Sequence, residues 1–182
     1  MSRYPLVPVA RGLPVLARLV SPLFKLQEMG LTFDMDHYED VAFGDHPEQR
    51  LDVWELNDLA PRDGWPAVLF LHGGGWVQGK RTSFRIQAPL LARHGILCAS
   101  ASFRLGPEWR WPTQIEDVLA AFEELCCLQV DPRRIGIWGV STGGHLALRA
   151  AQILGPERVR AVVTLGAPTD LEALDSRDWP EI

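Results

Sequence analysis

Four short, continuously apolar runs constrain this chain more than any other feature. They are Ala67-Val68-Leu69-Phe70-Leu71, Ile96 to Ser100, Ile135 to Trp138, and Val159 to Leu165. A strand with one wet face alternates apolar and polar residues, whereas an unbroken apolar run suits a strand covered on both faces. Helical stretches lie between them. Ile115, Val118, Leu119, Phe122, Leu125 and Cys126 share one face of an amphipathic helix, with Asp117, Glu123 and Glu124 in other directions. From His145 to Leu154 the sequence is apolar nearly all round, with Arg149 and Gln152 the main exceptions, which predicts a buried helix. Gly95 and Gly155 stand where helix C-termini favour a residue tolerant of positive φ. Strands alternating with helices imply an α/β fold, a mainly parallel sheet with helices on both faces.

Ahead of this region, Val41 to Phe43 and Leu51 to Leu56 read as strands joined by a turn at Gly44-Asp45-His46-Pro47, the second of them near a sheet edge. The first segment of the chain differs in character. It carries Arg3, Arg11, Arg18 and Lys25 against Glu28, and its apolar residues recur at roughly helical spacing, interrupted by Pro14 and Pro22. Residues 1–38 are therefore expected to form a helical arm or cap segment, and residues 39–182 the core.

The 182 residues are enough for one domain with a sizeable core. A net charge of −5 gives no general reason to expect nucleic-acid binding. No apolar run approaches the roughly 20 residues that span a bilayer, so stable membrane insertion is not expected. Three cysteines, with Cys126 and Cys127 adjacent, do not make a disulfide framework; a reducing, cytoplasmic setting follows. A homo-oligomer is compatible with all of this.

Two glycine motifs carry the chemistry. His72-Gly73-Gly74-Gly75-Trp76 directly follows the Ala67–Leu71 run. Consecutive glycines let the backbone turn sharply and present N–H groups to an anion or a developing oxyanion. The same loop fits a phosphate-binding spacing at Gly74, Gly79 and Lys80, but the next residue is Arg81 where a Ser or Thr would hold Mg²⁺. Gly139-Val140-Ser141-Thr142-Gly143 lies between the Ile135–Trp138 run and the buried helix. That is the strand–turn–helix context of a nucleophile elbow, which sets a serine at a helix N-terminus.

With Phe103-Arg104-Leu105, Asp131-Pro132-Arg133-Arg134-Ile135, the continuation Gly144-His145-Leu146-Ala147, and Pro168-Thr169-Asp170, these motifs resemble the α/β-hydrolase superfamily. More narrowly they resemble its hormone-sensitive-lipase-like and feruloyl-esterase-like esterase branch, with kynurenine formamidase as a relative. The resemblance runs from about Val41 to Leu171. Phe103 stands where relatives often have Tyr, and Thr142 where they often have Ala. The resemblance implies a serine hydrolase of carboxylic esters working through an acyl-enzyme, with Ser141 as nucleophile. The N–H groups of Gly74, Gly75 and Thr142 would form the oxyanion hole, supported by His72 and Gly73. No metal or organic cofactor is implied, and the partner is a small-molecule ester. Trp76, Phe103, Trp109 and Trp111 are candidates to line its pocket, with a core role as the alternative.

In this fold a triad runs Ser, acid, His along the chain. After Ser141 the chain offers carboxylates, including Asp170, but no histidine other than His145. His145 falls one turn into the buried helix and reads as a packing residue, while His37, His46 and His94 read as surface or turn residues. The triad acid and histidine, with the last strands and helices of the fold, are thus expected beyond Ile182. The rival expectation is a non-catalytic or incomplete α/β-hydrolase-like domain that needs a further part or partner. An arylformamidase-type amide hydrolase is a minor alternative.

Overall fold

The structure, a computed structural model, describes residues 35–172. Six strands form one sheet: β1 (Met35–Ala42), β2 (Arg50–Leu56), β3 (Trp65–Leu71), β4 (Leu97–Ala101), β5 (Val130–Val140) and β6 (Ala161–Leu165). Their order is β1-β2-β4-β3-β5-β6. The β1/β2 and β2/β4 pairs are antiparallel, and β4/β3, β3/β5 and β5/β6 are parallel. Three α-helices connect the strands: α1 (Gln87–Ala92), α2 (Thr113–Cys127) and α3 (Thr142–Leu154). A 3₁₀ turn, Arg81–Phe84, precedes α1.

The apolar runs behave as their lack of alternation demands. In β3, Ala67, Leu69 and Leu71 enter one core with Ile115, Val118 and Phe122 of α2 and Leu146 and Ala147 of α3. Phe70 enters a second core, on the opposite face, with Phe84, Ala88 and Ala92 of the 3₁₀ turn and α1. Leu97 and Ala99 of β4 likewise face the first core and Cys98 the second. Helices therefore cover both faces. Gly95 (φ 73°) and Gly155 (φ 83°) take the left-handed conformation expected of them.

Three expectations need correction. The core sheet begins at Met35, inside the segment assigned to the N-terminal arm; the remainder of that arm, residues 1–34, lies outside the described residues. Strand β1 reads Met-Asp-His-Tyr-Glu-Asp-Val-Ala and carries no apolar period, because it pairs with β2 alone and its side chains are largely exposed. A register break between Tyr38 and Val41, with Asp40 at φ 60°, interrupts this polar edge as edge strands commonly are. Second, Asp117 is buried although its helix position pointed elsewhere. Third, β6 is largely exposed, with Val163 and Leu165 open to solvent. Among the described residues it pairs only with β5, so it lacks the two-sided cover that β3 has.

The order β4-β3-β5 puts chain reversals on either side of β3. In open α/β sheets such a switch point leaves a crevice at the carboxyl ends of the strands. Both glycine motifs lie there: His72–Trp76 follows β3, and Ser141 follows β5.

Candidate active site

Ser141 has φ 52° and ψ −120°, a backbone conformation unusual for any residue with a side chain. It is held from both sides. Its N–H donates to Leu165 O at 2.8 Å, and its carbonyl accepts from Gly144 N–H (2.8 Å) and His145 N–H (3.2 Å). Its side chain makes no capping bond to α3, which leaves the hydroxyl uncommitted at the helix N-terminus. The first-turn amides of a helix, that of Thr142 among them, have no intrahelical acceptor.

Close approach explains the flanking glycines. A Cβ on Gly143 would stand 2.2 Å from Leu71 O and 2.4 Å from His72 O, and a Cβ on Gly139 would stand 2.2 Å from Gly143 O. A Cβ on Gly73 would meet Val140 O at 2.8 Å and Ser141 Cβ at 3.1 Å. The end of β3, the glycine loop and the elbow thus cross at backbone-to-backbone distance.

The loop itself turns at Gly74 and Gly75, both at positive φ, followed by Trp76 at φ 63°. Gly74 O accepts from Val77 N–H (3.2 Å) and Gln78 N–H (3.1 Å), which closes the turn. Neither the Gly74 nor the Gly75 N–H donates to a group among the described residues. His72 braces this loop. Its ring is buried, stacks on Phe103 with centroids 4.3 Å apart, and sets Nδ1 2.9 Å from Gly73 O. The carbonyl can only accept, so Nδ1 carries the proton. Burial pushes the His72 pKa below its ordinary 6.5, and the ring is neutral. Phe103 therefore belongs to the core and not to a pocket wall.

Between the end of the glycine loop, at Trp76, and the first turns of α3, at His145, lies a cavity of about 380 Å³ whose walls also include Trp109 and Trp111. His145 meets Trp76 edge-on at 5.5 Å between centroids and lies 6.1 Å from Trp111. Burial, and secondarily the Arg149 charge, lower its pKa below 6.5. A network that the sequence did not reveal carries the aromatic loop. Buried Asp117 accepts from Arg104 N–H (2.9 Å), Arg104 Nη2 (2.6 Å) and Gln49 Nε2 (2.7 Å). Arg104 lies 4.8 Å over the Trp109 ring, and Gln114 Nε2 donates to Trp109 O at 2.6 Å. An arginine and a carboxylate 13 positions apart give no local signal of such a pair.

The remaining histidines stand apart from the elbow. His37 stacks on Trp54, and His46 packs edge-on against Trp109. His94 lies beyond the end of α1. Asp170 accepts from Glu172 N–H at 3.1 Å. Cys98 is no competing nucleophile, since burial pushes its thiol up to about 12. One group could offer metal ligands among the described residues: His37, Glu39 and Asp52, with ligand atoms within 4.8 Å of one another. Cations of the chain already occupy it, because Arg81 Nε bonds Asp52 and Arg85 bonds Glu39. Arg81, which broke the phosphate-loop pattern, is thus a partner of β2. Among the described residues no helix is long and apolar enough to cross a membrane.

A family model described as the alpha/beta hydrolase fold matches residues 68–181. Esterase LipC of Mycobacterium tuberculosis is 33% identical over 144 residues, covering 76% of this chain and 35% of that protein. Ethyl acetate hydrolase of Pseudomonas putida is 36% identical over 104 residues, covering 54% and 33% respectively. Among solved structures, the thermostable carboxylesterase EstE1 from a metagenomic library superposes with a TM-score of 0.64 at 27% identity, covering 91% of this chain and 58% of that one. The chain spans about a third of the length of these two curated relatives. By matched sequence and superposed fold, this chain belongs to the α/β-hydrolase-fold family, in its esterase branch.

Proposed function

We propose that this chain carries the acyl-transfer half of a carboxylic-ester hydrolase. Ser141 attacks the ester carbonyl, the amides of Gly74, Gly75 and Thr142 receive the oxyanion, and water then releases the acyl group. His72 and Gly73 hold the loop. The observation that carries this reading is the close contact of the glycine loop with the elbow: the strained Ser141 sits against Gly73, next to two amides without an internal acceptor. Donors arranged in advance around a developing charge are worth about 3–4 kcal/mol each in the transition state.

A serine hydroxyl needs a base to become an effective nucleophile. Neither His72, braced in the core, nor His145, among the tryptophans, is placed for that role. We assign proton transfer to a histidine–carboxylate pair outside the described residues. The kinship with an esterase and an ethyl acetate hydrolase supports an ester as substrate. A fluorophosphonate probe tests the reading. Ser141 should be labelled and S141A should not, with peptide mapping to locate the adduct. If the 182-residue chain fails to react but a chain extended at its C-terminus reacts at Ser141, the missing pair lies in the extension. If neither reacts, the nucleophile assignment is wrong.

A further inference from the structure

The cavity bounded by Trp76 and His145 has an electrostatic character that the sequence does not suggest. Overall the protein is acidic, with net charge −5, and most arginines with ordered partners are neutralised. Arg81, Arg85, Arg104, Arg133, Arg134 and Arg158 all pair with carboxylates. The two arginines lining the cavity form no such pair, a property they share with Arg50, Arg62 and Arg160 elsewhere among the described residues. Arg110 and Arg149 pair with no carboxylate among the described residues, and Arg149 bonds only the neutral amide of Gln152, at 3.2 Å. Among the described residues no acidic side chain lines the cavity, and His145, the other ionisable group among them in its wall, is held neutral by burial. An aromatic enclosure is thus joined to two uncompensated guanidinium groups in an otherwise acidic molecule.

Flat indole walls favour a planar ring by dispersion and by edge-to-face contact. Guanidinium groups favour a carboxylate, which they can meet with two parallel hydrogen bonds. About 380 Å³ suits one arene with a small substituent. We propose that this cavity selects esters whose aromatic part bears an ionised carboxylate, with the ring among Trp76, Trp109 and Trp111 and the carboxylate toward Arg110 and Arg149. The turnover of such an ester rests on the reading of Ser141 above, whereas its binding does not. In the reaction of 4-acetoxybenzoate, Ser141 Oγ would bond the acetyl carbon as the bond between that carbon and the phenolic oxygen breaks. The serine proton goes to the departing phenolate, and water then frees acetate from the serine.

Binding is read by quenching of tryptophan fluorescence in the full 182-residue chain, titrated with benzoate and with its neutral analogue benzamide. Benzoate should bind about tenfold more tightly, with the difference shrinking as salt rises. R110Q/R149Q should abolish the preference, leaving benzamide affinity within about twofold. R62Q, away from the cavity, should keep the preference. Circular dichroism confirms that each variant is folded. Equal affinity for the two ligands in the parent chain, or a preference that survives R110Q/R149Q, would overturn the proposal. In S141A the benzoate preference should persist. A benzoate preference in the 182-residue chain, with no hydrolysis of 4-acetoxybenzoate or its methyl ester by either that chain or the C-terminally extended one, refutes the serine assignment and upholds the cavity. A chain that hydrolyses both equally, without binding preference, does the reverse.

Discussion

The site has two halves built from different materials. The elbow and glycine loop are made of backbone: Gly73, Gly139 and Gly143 allow three chain segments to cross at distances no side chain could enter. The cavity wall is made of side chains: Trp109, Arg110 and Trp111 on a loop whose position depends on Arg104, Gln114 and buried Asp117, together with Trp76 of the glycine loop and Arg149 of α3. The difference teaches where tolerance lies. A backbone-made half accepts almost no substitution, because the atoms in the way are main chain and cannot rotate aside. A side-chain half can change its lining, and with it the ligand, as long as the support underneath persists.

The sharpest way to break this contrast is Gly143→Ala. Its new Cβ would lie 2.2 Å from Leu71 O, so β3 and α3 must separate. We expect a loss of about 3 kcal/mol or more, read by denaturant unfolding, together with loss of fluorophosphonate labelling. A variant that folds and labels like the parent would show that the elbow has slack. Next in size is Asp117→Ala, which strikes the support of the aromatic wall. It leaves the largely buried Arg104 without its partner, at a cost of about 3 kcal/mol, and frees the loop carrying Trp109. Ligand quenching of tryptophan fluorescence should weaken in this variant even under conditions where it remains folded. The smallest effect on stability belongs to Trp111→Ala. Half of Trp111 is exposed, at 52%, and its loss should change unfolding free energy by less than about 1 kcal/mol while weakening aromatic ligands several-fold. A large destabilisation there would mean that the wall is part of the core after all.

Which parts were legible in the sequence follows the same division. The apolar runs announced strands with two covered faces because packing on both sides leaves no position for a polar residue. Gly139-Val140-Ser141-Thr142-Gly143 was readable because its constraint is local: a tight turn needs small neighbours wherever it occurs. Strand β1 was only partly legible, since a polar edge strand is specified by its pairing partner and not by its own pattern. Asp117 was misread for a similar reason. Helix periodicity shows which way a side chain points, but not that Arg104 waits there from a preceding loop. Among the aromatic residues, composition could not separate Phe103, stacked on His72 in the core, from Trp109 and Trp111 around the cavity, or show that Trp76 belongs to both.

By itself, then, the sequence determined the fold class, the place of the Gly139–Gly143 turn at the end of β5 and of the glycine loop after β3. Those depend on interactions between near neighbours along the chain. Only the tertiary structure decided that the two glycine motifs touch, that Asp117 carries the aromatic loop, and that Arg110 and Arg149 line an aromatic cavity without a carboxylate partner among the described residues. Each of these joins residues from separate segments, and no local pattern records which distant side chain supplies, or withholds, the opposite charge.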